Sequence, residues 1–182
     1  MITSKEEILT KSRELMKADG WQGLNIRAVA SACGISIGSV YNYYESKADL
    51  EEATVESIWF DIFHSEDEKV LEMSIISYVE WLFERMKYGD EAYPGFFSLH
   101  SVSLISVHSK NGKRLMSKSW KHMEMGLTHI IKMDKEISKD AFDDDFTPEM
   151  VAHTIFSLLI SAMLQKDYDS KAIISIVKRT LY

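Results

Sequence analysis

Apolar residues return at three- and four-residue spacing along almost every long segment of this chain, and only two prolines and eight glycines interrupt them. That recurrence belongs to amphipathic helices, and no segment reads as a convincing strand. The expected fold class is therefore all-α. Ser4 and Glu7 have the spacing of a capping box, which opens a helix expected to reach Asp19 and to end at Gly20. Asn25 and Ser36 are cap candidates for two short helices over 26–33 and 37–44, and Ser46 opens a longer one with Ala53, Ile58, Trp59, Ile62 and Phe63 on its buried side. A helix over 69–88 is apolar nearly all round, as in the middle of a bundle. Pro94–Gly95 marks a turn before an uncharged helix over 96–108, and Asn111–Gly112 reads as a second break. Met116, Trp120, Met123, Leu127 and Ile130 make a stripe on a helix reaching about Lys139; Thr147–Pro148 starts a helix to 165, and a last one spans 169–181.

A composition of 46% hydrophobic and 27% charged residues excludes a disordered chain, and no apolar run approaches the ~20 residues that span a bilayer. The lone Cys33 forms no internal disulfide and supplies no zinc cluster, and MITSKEEILTKS lacks the apolar core of a secretory signal, so a cytoplasmic location is expected. The net charge of −7 weighs against a nucleic-acid partner until its distribution is considered. Lys5, Lys11, Arg13, Lys17, Arg27 and Lys47 balance Glu6, Glu7, Glu14, Asp19, Glu45 and Asp49, so the excess acid lies after residue 50. A neutral head and an acidic body suggest two parts with different tasks.

Within the head, GISIGSVYNYYESK (34–47) combines two glycines, β-branched residues and three tyrosines with few charges, a poor recipe for either a stable helix or a plain loop. Two short helices crossing near a right angle need apolar contacts, a small residue at the crossing and a turn tolerant of unusual dihedrals. Val29, Cys33, Ile35 and Val40 supply the contacts, Ala30 the small residue and Gly34 the turn. The stretch Leu24–Leu50, LNIRAVASACGISIGSVYNYYESKADL, closely resembles the DNA-binding signature of the TetR family of one-component bacterial regulators. Gly34–Ile35–Ser36, Gly38, Val40–Tyr41, Tyr44, Ser46–Lys47 and Leu50 carry the resemblance, which is strong over about 5–55 and nearly absent beyond. Asn25 stands where Thr is usual, and Tyr44 where Phe is usual.

The resemblance implies a three-helix helix-turn-helix head (1–47) followed by a ligand-binding and dimerising body of about six helices (48–182). It places the second helix of the motif in the major groove. Ile37, Ser39, Asn42 and Tyr43 then face bases, with Asn42 suited to adenine and Ile37 to a thymine methyl. Gly38 allows close approach, Ser36 counts among the DNA-binding residues, Tyr41, Arg27 and Lys47 contact phosphates, and Tyr44 turns into the head's core. A monomer would neutralise only ~2–4 phosphates, so a homodimer on a palindromic operator is expected. The family pairs its last two helices; the apolar stripes here suit that pairing and simple burial equally well.

The family also places a small-molecule cavity in the body, which makes Trp59, Phe63, Trp81, Phe97, His100, Trp120 and Met123 candidate lining residues, although such side chains are more often plain core. His100 lies among Ser98, Ser101 and Ser103 and either meets a ligand or is satisfied by a serine. His64, His100, His108, His122, His129 and His153 form no zinc motif, Asp143–Asp145 resembles no calcium loop, and no nucleophile or acid–base constellation appears, so neither catalysis, metal nor cofactor is expected. The expected function is a dimeric transcriptional regulator, a repressor released from its operator by a small molecule. The alternative is a helical regulator acting through a partner protein.

Overall fold

A computed structural model describes residues 4–64, 70, 72–97 and 110–182, with side chains from 120 onward in the last span. Eight α-helices run through these residues, with no strand among them: α1 Lys5–Gly23, α2 Ile26–Cys33, α3 Ile37–Tyr41, α4 Lys47–Phe63, α5 Ile75–Ala92, α6 Lys110–Met133, α7 Pro148–Gln165 and α8 Lys171–Leu181. The fold is all-α, with an N-terminal helix-turn-helix head and a helical C-terminal region. The chain divides into two compact units, Met1–Ile62 with Gly89–Met116 and Phe63–Tyr88 with Ser117–Tyr182.

In the first unit the predicted caps are in place. Ser4 Oγ accepts the Glu7 N–H at 3.1 Å, and the Asn25 side chain accepts the Ala28 N–H at 2.9 Å. Gly20, at φ +61°, breaks the conformation of α1 where a break was expected; one more turn then carries the helix to Gly23. A Cβ at Gly20 would lie 3.4 Å from the Pro94 carbonyl, so the kink also permits a close backbone approach. Ile8, Met16, Leu24, Val29, Val40 and Leu50 are buried and make the small core of the head. Beyond it, Trp59 of α4 packs on Phe96 and Phe97, with ring centroids 5.6 and 5.8 Å away. The fully buried Tyr93 donates its hydroxyl hydrogen to Asp61 at 2.7 Å, and Lys17 Nζ lies 3.5 Å from the same carboxylate oxygen.

The second unit packs Ile75, Val79, Leu82, Phe83 and Met86 of α5, Leu127, Ile130 and Ile131 of α6, and the apolar faces of α7 and α8. Asp134, just past α6, is its main polar staple. One carboxylate oxygen accepts the Ile75 N–H at 2.8 Å, capping α5, and also the Tyr182 hydroxyl at 2.5 Å. Burial, with this carboxylate second, pushes the Tyr182 phenol far above its usual range. Asp134→Ala leaves the first N–H of α5 and the Tyr182 hydroxyl without their acceptor; about 1–3 kcal/mol of stability is expected to be lost, read as a lower urea midpoint at unchanged m-value.

Several boundaries differ from the periodicity. α3 stops at Tyr41 rather than 44, because the chain tightens: the Tyr43 N–H bonds to the Val40 carbonyl, three residues back. α5 begins at Ile75 rather than 69 because the Ser74 side chain and distant Asp134 cap it there, and it continues to Ala92. It buries one face rather than its whole circumference, with Glu80, Glu84 and Lys87 exposed. Gly112 lies inside the first turn of α6 and is no break, and α6 ends at Met133, where Asp134 turns the chain by accepting the Glu136 N–H. α8 starts at Lys171, where Asp169 accepts the backbone N–H. Of the helix expected over 96–108, Phe96 and Phe97 lie in a turn, and the rest, with His100, lies outside the described residues.

Candidate nucleic-acid interface

The site is built from two short helices and the turn between them. α2 ends because Gly34 takes φ +65°, a conformation costly to any residue with a Cβ, and its N–H bonds back to the Ala30 and Ser31 carbonyls. Ser36 then caps α3, its side chain accepting the Ser39 N–H at 3.1 Å, while the two serine hydroxyls share a further hydrogen bond at 2.9 Å. Val40 is wholly buried beside equally buried Val29 and Cys33 of α2, which fixes the face α3 turns inward. Burial pushes the Cys33 thiol above its ordinary range, consistent with an inert core residue.

The opposite face is open. Ile37 is 42% exposed and Tyr41 48%, and Ser36, Gly38 and Asn42 are exposed too, while Ser39 and Tyr43 are half-buried. Among the described residues a Cβ at Gly38 would meet only Ser36 Oγ, at 3.7 Å, so none of them requires glycine there. Arg27 is exposed on the first turn of α2. Lys47 is exposed on the first turn of α4, and its ammonium contacts the Glu51 carboxylate at 3.1 Å, a partner signalled in the sequence by the four-residue spacing alone.

Tyr44 turns inward and is 6% exposed, with the Lys5 ammonium 5.6 Å above its ring. Its hydroxyl is buried with no hydrogen-bond partner among the described residues, and burial raises its pKa. An unmet buried hydroxyl destabilises, so Tyr44→Phe is expected to stabilise the protein by about 1 kcal/mol, seen as a thermal midpoint ~2–4 °C higher.

The candidate ligand residues fall in different units. Trp59 and Phe97 pack together in the first; Phe63, Trp81, Trp120 and Met123 belong to the second. Trp81 stacks on Tyr78 at 5.6 Å, and Trp120 meets Phe156 edge-on at 6.0 Å. Trp81, Trp120, Met123 and Phe63 are half-buried, whereas Trp59 and Phe97 are core. Among the described residues, no group of His, Cys, Asp and Glu side chains is placed to hold a metal ion, and no helix is long and apolar enough to cross a membrane.

Residues 8–54 match the family model for bacterial regulatory proteins of the tetR family. The N-terminal head is a TetR-family domain. No curated protein matches the chain in sequence. Among solved structures, the chain is similar to the TetR-family transcriptional regulator PfmR of Thermus thermophilus, at 19% identity and TM-score 0.61, over all of this chain and 99% of that one. It is also similar to reduced NemR of E. coli, at 17% identity and TM-score 0.68 over 97% and 96%, and to SCO7222, a TetR of Streptomyces coelicolor, at 14% and 0.63 over 97% and 78%. At these identities the likeness shows that the TetR fold continues past the head and through the body.

Proposed function

We propose that the chain is a homodimeric, sequence-specific DNA-binding repressor, with a head over 1–47 and a body over 48–182 that releases the operator when a small molecule binds. The observation that carries the reading is the outward face of α3. Ile37, Gly38, Tyr41 and Asn42 stand exposed on a helix whose Val40 is fully buried, so large side chains are held out rigidly without charge around them. Such a face suits close approach to base edges and sugars, with Ser36, Ser39 and Tyr43 beside it. Tyr41, Arg27 and Lys47 supply phosphate contacts, Lys47 by exchanging Glu51 for the backbone.

Dimerisation is supported by the outer faces of α7 and α8. Met150, Thr154, Ser157, Ser161 and Leu164 follow one another along α7, all exposed. Thr154 and Ser157 each donate to a carbonyl four residues back, and Ser161 accepts from Gln165, so these side chains present small surfaces with their polar needs met. On α8, Ile176 is 55% exposed and Thr180 donates to its carbonyl. Two such faces can approach a second copy at little desolvation cost. An effector site in the body is supported by Trp120, whose indole nitrogen is buried with no partner among the described residues. A ligand acceptor reaching it would satisfy it.

The test is operator binding across a salt series. A dimer neutralising ~4–8 phosphates gives a slope of log K on log salt of about −4 to −7. Lys47→Ala is expected to reduce that slope by about 2 per dimer, and Tyr41→Phe to weaken binding about 3–10-fold at every salt concentration. Unchanged binding by both variants would remove these residues from the contact surface.

A further inference from the structure

The uncharged face of α3 restricts which bases the head can read, and this inference rests on the proposed DNA-binding role. In the major groove guanine shows two acceptors, N7 and O6, and its commonest reader is the bidentate fork of Arg or the ammonium of Lys. No Lys or Arg stands between Arg27 and Lys47. Arg27 lies on the first turn of α2, outside the reading helix, and Lys47 follows it on α4, paired with Glu51. Cytosine shows a donor that a carboxylate would accept. The nearest carboxylate, Glu45, lies beyond inward-turned Tyr44 and lines a cleft with Lys5 and Asp49.

What α3 offers instead fits the other pair. The Ile37 side chain is apolar, exposed and at the start of the helix, where a thymine C5-methyl is its natural contact. The Asn42 carboxamide is exposed one turn and a half along, and its carbonyl and amide match the N6 donor and N7 acceptor of adenine. At guanine the same carbonyl would face O6, acceptor against acceptor. The Ser36 and Ser39 hydroxyls bond to each other at 2.9 Å, and Ser36 Oγ also takes the Ser39 N–H, so the pair keeps one hydroxyl hydrogen to donate and offers no fork for guanine's two acceptors. We infer that each operator half-site carries A·T base pairs under α3, with a thymine beneath Ile37 and an adenine beneath Asn42.

The experiment selects duplexes from a random pool with the wild-type protein, Ile37→Ala and Asn42→Arg, and then replaces single thymines of the wild-type site by uracil, which removes only the methyl. The expected result is a wild-type half-site with A·T at the positions that change between proteins. Uracil at one of them weakens wild-type binding about fivefold and leaves Ile37→Ala within twofold, and Asn42→Arg exchanges the adenine for guanine. Wild-type sites with G·C at the positions that respond to Ile37 and Asn42, or no position sensitive to uracil, overturn the inference while leaving the DNA-binding role intact. A wild-type protein that retains no duplex at low salt overturns that role and the inference with it. Both side chains are exposed, so matching helical circular dichroism and thermal midpoints show that the variants are folded.

Discussion

Ile176→Glu is expected to leave the fold intact, convert the protein to a monomer and lower operator affinity at least ~100-fold. Ile176 is 55% exposed, so a carboxylate there costs the isolated chain little. At the proposed interface two copies would bring two such carboxylates into an apolar contact, where an unpaired charge cannot be accommodated. The effect on DNA follows from effective concentration. With its partner anchored, the second head meets its half-site as an intramolecular event, which contributes ~10²–10⁴ in affinity. One head alone makes too few phosphate contacts to hold DNA at cellular salt. Light scattering reads the mass, and a binding titration at the same concentration reads the affinity. A variant that stays dimeric moves the interface away from α8.

Trp59→Ala is expected to cost about 3–5 kcal/mol, lowering the thermal midpoint by roughly 6–20 °C. The indole is 7% exposed and packs against Phe96 and Phe97 in the first unit. Its loss leaves a cavity that Ile62 and Phe97 cannot fill freely, because both already crowd Gly89: a Cβ there would stand 2.8 Å from each. The size of the loss also decides between two roles for this residue. A wall of an open ligand cavity already faces empty space and would lose well under half that amount, with a changed effector response. The burial supports the core role for Trp59 and Phe97, whereas Trp120 is half-buried and its indole nitrogen has no partner among the described residues.

The head was legible because its information is local. Asn25 and Ser36 cap the helices that follow them from within their own first turns, and Gly34 sits at the one positive φ the turn needs. Thr147 and Pro148 start α7 for the same reason. Where a boundary depends on a distant residue, the pattern misleads. The start of α5 is fixed by Asp134, 59 positions away in the chain, which spacing does not encode. The outward set on α3 was implied by the family resemblance; of it Ile37 and Asn42 are exposed, while Ser39 and Tyr43 are half-buried. The grouping of the body's aromatics was not legible, because helical periodicity says which side of each helix is apolar and not which helices share a core. Tyr44 marks the same divide: its inward turn was expected, but that its hydroxyl finds no partner among the described residues depends on neighbours from α1 and α4.

Residues 26–47 are proposed to form a working DNA reader in a two-headed molecule. The most direct test is selection of random duplexes by the purified full-length protein at two salt concentrations. The expected result is enrichment of a palindrome whose half-sites lie about one helical turn, ~34–36 Å, apart, held more weakly at the higher salt. A dimeric, folded protein that enriches no palindrome at either salt would contradict it.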